Sequence, residues 1–164
     1  MRIQGITHPD VNNGLGCRVT LWVSGCIHHC KGCHNKETWD FSTGEEFNDE
    51  YKTALFEALS KPYIKGITLS GGDPLCSYND LLPLVIEIKE KFPSKNIWLY
   101  SGFTLDYIKE HFKEILSYID VLVDGKYIEA LRDTSLAFRG SSNQTIWEKD
   151  KNSHEFIKSD LNEK

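Results

Sequence analysis

Three cysteines lie within eight residues of this chain, at Cys26, Cys30 and Cys33, in the spacing C-x3-C-x2-C. Thiolates this close together can ligate a single metal centre. An iron–sulfur cubane held by three cysteines keeps one iron free to bind a further ligand. The spacing therefore predicts a metal centre with an open coordination position, and we expect the chemistry to begin there.

Two other interpretations of the cysteines stay open from their spacing. Residues at i, i+4 and i+7 share one face of a helix, so the three could be small core residues. Gly25 and Gly32 disfavour a helix, and no apolar stripe continues past the segment. The other interpretation is a zinc site whose fourth ligand is one of the neighbouring histidines His28, His29 and His34. The spacing favours iron–sulfur over zinc, and in either case binding should weaken as the pH falls, because the thiols must ionise.

The composition is that of a globular protein. The chain has 164 residues, of which 40% are hydrophobic and 12% aromatic, and this predicts one domain with a single core. A net charge of −5 with no obvious basic face disfavours nucleic acid as a partner. No apolar run is long enough to cross a membrane, and the N-terminus lacks the apolar core of a signal peptide. We therefore expect a cytoplasmic protein without membrane partners, in which cysteines serve as metal or redox ligands before they form disulfides.

Strand and helix patterns alternate along the chain after a turn-rich start over residues 1–16. Strand patterns cover residues 19–24, 64–69, 96–100, 119–123 and, in a short segment, 145–148. Helical patterns cover about residues 45–60, 77–92 and 104–117. Thr43 and Glu46 form a possible capping box for the first helix, and Ser77 and Thr104 can cap the other two.

This alternation predicts an α/β fold with a mostly parallel sheet. A complete eight-unit barrel needs roughly 200 residues or more, so we expect an open sheet or partial (β/α) barrel. The domain is expected to span residues 1–148. Residues 149–164 are strongly charged and are expected to form a loosely ordered C-terminal tail.

The most distinctive residues follow the predicted strands. The cysteines follow the first strand, Gly71-Gly72-Asp73-Pro74 the second, Ser101-Gly102 the third and Asp124-Gly125 the fourth. Parallel α/β folds build their active sites at the carboxyl edge of the sheet. The four signals therefore predict one shared site, although the glycine turn alone would be an ordinary strand-to-helix connection.

Together with the cysteine spacing, the Gly-Gly-Asp-Pro turn resembles the radical S-adenosylmethionine superfamily. Further blocks, in matching order over about residues 12–148, resemble one family within it, the activating enzymes of anaerobic ribonucleoside-triphosphate reductase. These blocks are Gly14–Arg18, Trp22–Cys26, Gly32–Asn35, Thr38–Trp39, Ser70–Leu75, Trp98–Gly102, Asp120–Gly125 and Arg139–Gln144.

The resemblance implies an open partial barrel of the radical S-adenosylmethionine type, with a 4Fe–4S cluster on Cys26, Cys30 and Cys33. S-adenosyl-L-methionine would chelate the fourth iron, and its reductive cleavage would give a 5′-deoxyadenosyl radical. That radical would take a hydrogen atom from a glycine in the large catalytic subunit of the reductase. The resemblance suggests reduced flavodoxin as the electron donor. No catalytic side chain beyond the cluster and cofactor is expected, because hydrogen-atom abstraction needs no acid or base from the protein.

The resemblance also implies two groups of cofactor contacts. The first group, against the methionine end of S-adenosylmethionine, is Gly71, Gly72 and Asp73. Much of the superfamily has glutamate where this chain has the shorter aspartate, so a backbone contact is expected more than a side-chain one. The second group, near the adenine, is Gly32, Cys33 and His34. Many members carry an aromatic residue just before the third cysteine; glycine cannot stack there, so the histidine or the loop backbone would supply the contact.

Two other functions stay open. One is a different radical enzyme, such as another glycyl-radical activase or a deazapurine synthase, against which the blocks at 98–102 and 139–144 argue. The other is a non-catalytic zinc-binding interaction module. Cys17 and Cys76 lie outside the cluster spacing and are expected to be ordinary buried thiols. Tyr100, Asp124 and Arg139 are candidates to reach the adenosyl group or the partner's glycine.

Overall fold

The computed structural model describes residues 1–164 as an open eight-stranded sheet with three α-helices. The strands are β1 (Arg2–Asp10), β2 (Arg18–Val23), β3 (Glu45–Glu46), β4 (Gly66–Gly71), β5 (Asn96–Tyr100), β6 (Val121–Asp124), β7 (Thr145–Lys149) and β8 (Phe156–Lys158). The α-helices are α1 (Asp49–Leu59), α2 (Tyr78–Lys91) and α3 (Leu105–His111). Short 3-10 helices cover Lys36–Thr38, Pro74–Ser77, Lys113–Ser117, Glu129–Leu131 and Asp160–Glu163.

The strand order across the sheet is β3-β1-β2-β4-β5-β6-β7-β8. The central strands β2, β4, β5 and β6 are parallel, whereas the outer strands on both sides are antiparallel. The predicted α/β class is therefore confirmed, and the parallel pairing occupies the centre of the sheet. None of the helices has the length and apolar character needed to span a membrane.

The two faces of the sheet are covered differently. Alternate residues of a strand point to opposite faces, and one set joins all three α-helices in a core of 22 buried residues. Members of this core include Leu21, Leu69, Leu99, Leu55, Leu81 and Ile108. The opposite face carries a smaller cluster formed by Trp98, Val121, Val123 and Ile146. The helices thus leave this second face, and the carboxyl ends of its strands, available for a site.

A fully buried arginine fills the second face below the strand ends. The Arg18 guanidinium donates to Thr68 Oγ1 at 2.8 Å and to backbone carbonyl oxygens, including that of Ile67 at 2.8 Å. It also lies 5.4 Å from the ring centroid of Trp98, which is itself buried. Burial lowers the pKa of Arg18 to about 10, so the side chain stays charged at neutral pH. Its partners are neutral dipoles and an aromatic ring in place of a carboxylate.

Residues Arg2–Asp10 form a strand where the sequence predicts turns. Strand β1 pairs antiparallel with β2, and its register shifts between Ile3 and Gly5 and between Thr7 and Asp10. Such irregular pairing accommodates Gly5 and Pro9, which interrupt the alternating pattern in the sequence. Pairing with β2 therefore stabilises this strand more than the β-propensity of its own residues does.

The predicted capping box of the first helix is wrong. Helix α1 begins at Asp49, and Asn48 caps it by accepting a hydrogen bond from the backbone N–H of Tyr51 at 3.0 Å. Glu46 instead pairs with Arg2 in the short strand β3, while the Thr43 hydroxyl donates to the carbonyl oxygen of Asp40. Glu46, which the sequence pattern predicts at the start of the helix, is therefore part of a strand pair instead.

Strand β5 has the predicted bounds of 96–100, and the other predicted elements are present with shifted ends. Strand β4 covers Gly66–Gly71 against a prediction of 64–69, and α3 ends at His111 before a 3-10 turn. Thr104 caps α3 as predicted, whereas the Ser77 side chain makes no capping hydrogen bond to α2.

The C-terminal segment, predicted to be a loosely ordered tail, contains strand β8 and a 3-10 helix in the structure. Strand β8 pairs with β7, and Asn162 behaves like a further strand residue. Its side chain accepts from the backbone N–H of Ile146 at 2.9 Å and donates to the carbonyl oxygen of Ile146 at 2.8 Å. Side-chain amides can thus replace a missing ladder partner. The division of the chain at residue 148 stays a prediction.

Replacing Asn162 by alanine is expected to destabilise the protein. The change removes the side-chain partners of the buried Ile146 backbone, and an unsatisfied buried polar group costs about 1–3 kcal/mol. Urea unfolding should show a lower midpoint for Asn162→Ala. Asn152→Ala is the matched control, because Asn152 is exposed and its side chain makes no hydrogen bond. Equal midpoints for the two variants would show that the C-terminal segment does not contribute to the fold.

Candidate functional site

A cavity of about 160 Å³ lies at the carboxyl ends of the central strands. Six of the residues that the sequence assigns to the site line this cavity, namely Cys26, Cys30, Cys33, Gly71, Gly72 and Asp73. Two strand-end signals contribute as well, since Ser101, Gly102 and Gly125 belong to the same wall. The predicted convergence of the strand-end motifs on one site is thus observed.

The cysteine loop leaves the end of β2 and is closed at its base by backbone hydrogen bonds. The N–H of Gly25 donates to the carbonyl oxygen of Thr38 at 2.6 Å, and that of Cys26 donates to Trp39 at 3.1 Å. Gly25 has φ of +104°, and a Cβ there would overlap the ring of Phe41. Glycine is therefore required where the chain turns from the strand into the loop.

Backbone amides lie near the cysteine sulfurs and favour their ionised form. The N–H of Asn35 donates to the Cys33 Sγ at 3.4 Å. The backbone amides of His28 and His29 lower the pKa of the Cys26 thiol. The backbone amide of Tyr127 lowers the pKa of the Cys30 thiol. Tyr127 lies just beyond the end of β6. Such donors favour thiolates and stabilise sulfur ligands in metal centres.

Burial opposes ionisation of two of these thiols. It raises the pKa of Cys26 and the pKa of Cys30 above the ordinary thiol value, against the smaller effect of the amides. A metal centre must therefore displace protons when it binds here. No group of three His, Cys, Asp or Glu side chains converges closely enough to hold one metal ion. The sulfurs are instead distributed around the cavity wall.

The donor set fits a 4Fe–4S cluster. Three soft sulfur ligands share one cavity at the sheet edge, and each is approached by a backbone amide. Thiolate is the ligand that such clusters use. The glycine turn that lines the cavity adds backbone without bulky side chains, which leaves room for a bound group.

The glycine turn lies directly against the base of the cysteine loop. The N–H of Gly72 donates to the carbonyl oxygen of Val23 at 2.8 Å, and the N–H of Asp73 donates to that of Gly25 at 2.9 Å. A Cβ on Gly72 would overlap the carbonyl oxygens of Gly25 and Thr38. The two motifs are therefore packed backbone to backbone.

The Asp73 side chain is buried, with only 1% of the residue exposed. Its Oδ2 accepts hydrogen bonds from His28 Nε2 at 2.6 Å, Ser101 Oγ at 2.9 Å and the N–H of Gly102 at 2.9 Å. Its Oδ1 accepts from the N–H of Leu75 at 3.0 Å. One carboxylate thus joins the cysteine loop, the glycine turn and the turn after β5.

Two predicted contact residues lie outside the cavity lining. Gly32 has φ of +77° and faces the side chain of Glu129. His34 packs edge-on against Tyr127, with ring centroids 5.7 Å apart. Tyr127 itself lines the cavity. Tyr127 is not among the residues predicted from the sequence, where its only signal is its place two residues after the Asp124-Gly125 strand end.

The remaining candidates divide between the site and the scaffold. Tyr100 lines the cavity, and burial raises the pKa of its hydroxyl. Asp124 instead accepts from the N–H of Leu105 at 2.7 Å, at the start of α3. Arg139 donates to backbone carbonyls, including that of Asn162. Cys17 and Cys76, predicted to be buried thiols, are both only partly buried and lie outside the cavity lining. Partial burial raises the pKa of Cys76 to about 11.

Comparison with known proteins agrees with this site. A family model described as a 4Fe-4S single cluster domain matches residues 12–147. The anaerobic ribonucleoside-triphosphate reductase-activating protein of Haemophilus influenzae is 48% identical over 141 residues, which cover 84% of this chain and 91% of that protein. The proteins of the same name from Enterobacteria phage T4 and Escherichia coli K12 are 46% and 45% identical. Each match covers 84% of this chain, with 88% of the phage protein and 92% of the E. coli protein.

Replacing Gly72 by alanine is expected to force the cysteine loop away from the glycine turn, because the new Cβ has no room beside the two carbonyl oxygens. Overpacking of this kind costs about 1–3 kcal/mol. Urea unfolding of the cluster-free protein should therefore give a lower midpoint. Ser77→Ala is the control, since that side chain makes no capping bond. A Gly72→Ala midpoint equal to the wild-type value would contradict the backbone contact described here.

Proposed function

The chain belongs to the family of anaerobic ribonucleoside-triphosphate reductase-activating proteins, and we propose that it is a radical S-adenosylmethionine enzyme. Its substrate would be the large catalytic subunit of the reductase. When bound, the 4Fe–4S cluster would supply one electron for the cleavage of S-adenosylmethionine. The resulting 5′-deoxyadenosyl radical would take a hydrogen atom from a glycine of that subunit and leave a glycyl radical there. The observation that carries the proposal is the set of three cysteine thiols facing one cavity together with the glycine turn.

Each part of the site has a role in this proposal. Cys26, Cys30 and Cys33 hold the cluster, and the neighbouring amides stabilise their thiolates. The backbone of Gly71 and Gly72 allows close approach of the methionine end of S-adenosylmethionine. Cys33 and its neighbours Gly32 and His34 remain the proposed adenine side, although the latter two stand outside the cavity lining. No side chain is required as a general acid or base.

The open sheet supports a protein substrate. Its outer strands β3 and β8 are not paired with each other, so the sheet does not close around the site. An open side can admit a glycine-bearing loop of a large partner, whereas a closed barrel would suit a small molecule. The electron would come from a separate reductant, for which we propose reduced flavodoxin, and the reaction would take place in the cytoplasm.

Metal analysis of anaerobically purified protein tests the cluster. We expect a brown protein with about four iron and four sulfide per chain. Replacement of Cys26, Cys30 or Cys33 by alanine should remove the iron, because each loses a ligand. Cys17→Ala and Cys76→Ala are matched controls that should keep it. A colourless protein containing zinc, or iron loss in either control, would overturn the ligand assignment.

Electron paramagnetic resonance tests the activity. The reduced, cluster-loaded protein, mixed with S-adenosylmethionine and the reductase subunit, should produce a glycyl radical signal on the subunit. The signal should be absent without S-adenosylmethionine and with the Cys30→Ala variant. Cluster-loaded wild-type protein that cleaves S-adenosylmethionine without producing the signal would point to a different radical enzyme.

A further inference from the structure

The buried Asp73 carboxylate has little capacity left for an outside ligand. A carboxylate offers about four lone-pair positions, two on each oxygen. Three donors already converge on its Oδ2, from His28, Ser101 and Gly102, and one occupies its Oδ1. All four donors belong to the protein. Oδ1 keeps one open position, but the residue is only 1% exposed, so little of the side chain is accessible to a cofactor.

His28 occupies a fitted position beside this carboxylate. Its side chain is only 4% exposed, although it lies in the loop between Cys26 and Cys30. Its ring meets Phe103 edge-on, with centroids 4.6 Å apart. It also fills the space that a Cβ on Gly102 would need. Shape and hydrogen bonding together hold this histidine in one place.

We propose that Asp73 is a positioning residue that fixes the cysteine loop through His28, in place of binding the cofactor's ammonium group with its side chain. The proposal rests on the proposed function, because it assumes a cluster on the flanking cysteines. Since His28 lies two residues from each of Cys26 and Cys30, holding it restrains both ligands. The same carboxylate accepts hydrogen bonds from Ser101 and Gly102, so it connects the cysteine loop to the end of the rigid sheet.

The geometry explains why an aspartate serves this purpose. Its backbone N–H already bonds Gly25 at the base of the loop, and its short side chain reaches back to the loop's middle. The two contacts fasten the loop at separate points. Ligands held by outer contacts of this kind are oriented before the metal centre forms.

Chelator-driven iron loss from the reconstituted cluster, measured without S-adenosylmethionine, tests the proposal. Asp73→Asn and His28→Leu should each release iron about tenfold faster than the wild type, within the range known for outer contacts of metal ligands. The double variant should be no faster than either single variant, because both remove the same contact. His28→Gln, which keeps a donor, should be slower than His28→Leu. Unchanged iron loss in both single variants would overturn the proposal.

Affinity for S-adenosylmethionine separates positioning from direct binding. In calorimetric titration of the cluster-loaded variants, the dissociation constant for S-adenosylmethionine should be the same for Asp73→Asn as for His28→Leu. If the carboxylate bound the ammonium, Asp73→Asn alone would lose affinity, by about tenfold for one charged contact, and the proposal would fail. Asp49→Asn and His111→Leu are the matched controls, since both residues are exposed and lie outside the cavity lining.

Amide hydrogen exchange in the cluster-free chain keeps this test independent of the proposed function. Both single variants should speed exchange at Gly102 and in the cysteine loop, with little change in the buried core strand β5. Ser101→Ala, which leaves the His28 contact in place, should leave loop exchange close to the wild-type rate. If the wild-type protein binds no cluster, the proposed function fails, and the exchange result still decides the positioning role. Loop exchange unchanged in folded Asp73→Asn protein would reject it.

Discussion

The parallel pairing of β2 with β4 is the constraint on which the site depends. Their register sets Trp22 opposite Ser70 and Val23 opposite Gly71, so both strands end at the same level. The cysteine loop and the glycine turn then leave the sheet side by side, and the backbone N–H groups of Gly72 and Asp73 bond the facing chain. A slip of one residue would turn every side chain of the strand to the other face. Burial of one face against the helices prevents that slip, so core packing fixes the geometry of the site.

The second face of the sheet carries the polar groups that the helical core could not accommodate. Arg18 is buried there without a carboxylate partner, which is tolerated because four acceptor oxygens and the Trp98 ring surround the guanidinium. Asp73 is buried at the strand ends with four donors of its own. The two charges are thus satisfied separately, one below the cavity and one beside the cysteine loop. Neither depends on a bound group for its hydrogen bonds.

The sequence predicts the central architecture well and the outer strands poorly, for one physical reason. Strands β5 and β6 are short apolar segments bounded by turn residues, and their signals are local. Strand β1 contains Gly5 and Pro9 and exists because β2 supplies its hydrogen bonds. Glu46 and Asn162 are recruited in the same way by partners distant in the chain. These strand residues are stabilised by hydrogen bonds to partners distant in the sequence, so no local sequence pattern predicts them.

The same distinction applies within the site. The cysteines and the glycine turn follow from spacing and from the rule that parallel strands end at one edge. The contact of His28 with Asp73 joins residues 45 positions apart, and no spacing rule predicts it. From the sequence, His28 is only one possible zinc ligand and Asp73 is a predicted cofactor contact, so the two residues are separate features there. In the structure the Asp73 carboxylate accepts four hydrogen bonds from groups of the protein, so this acidic side chain has internal partners that no local pattern in the sequence reveals.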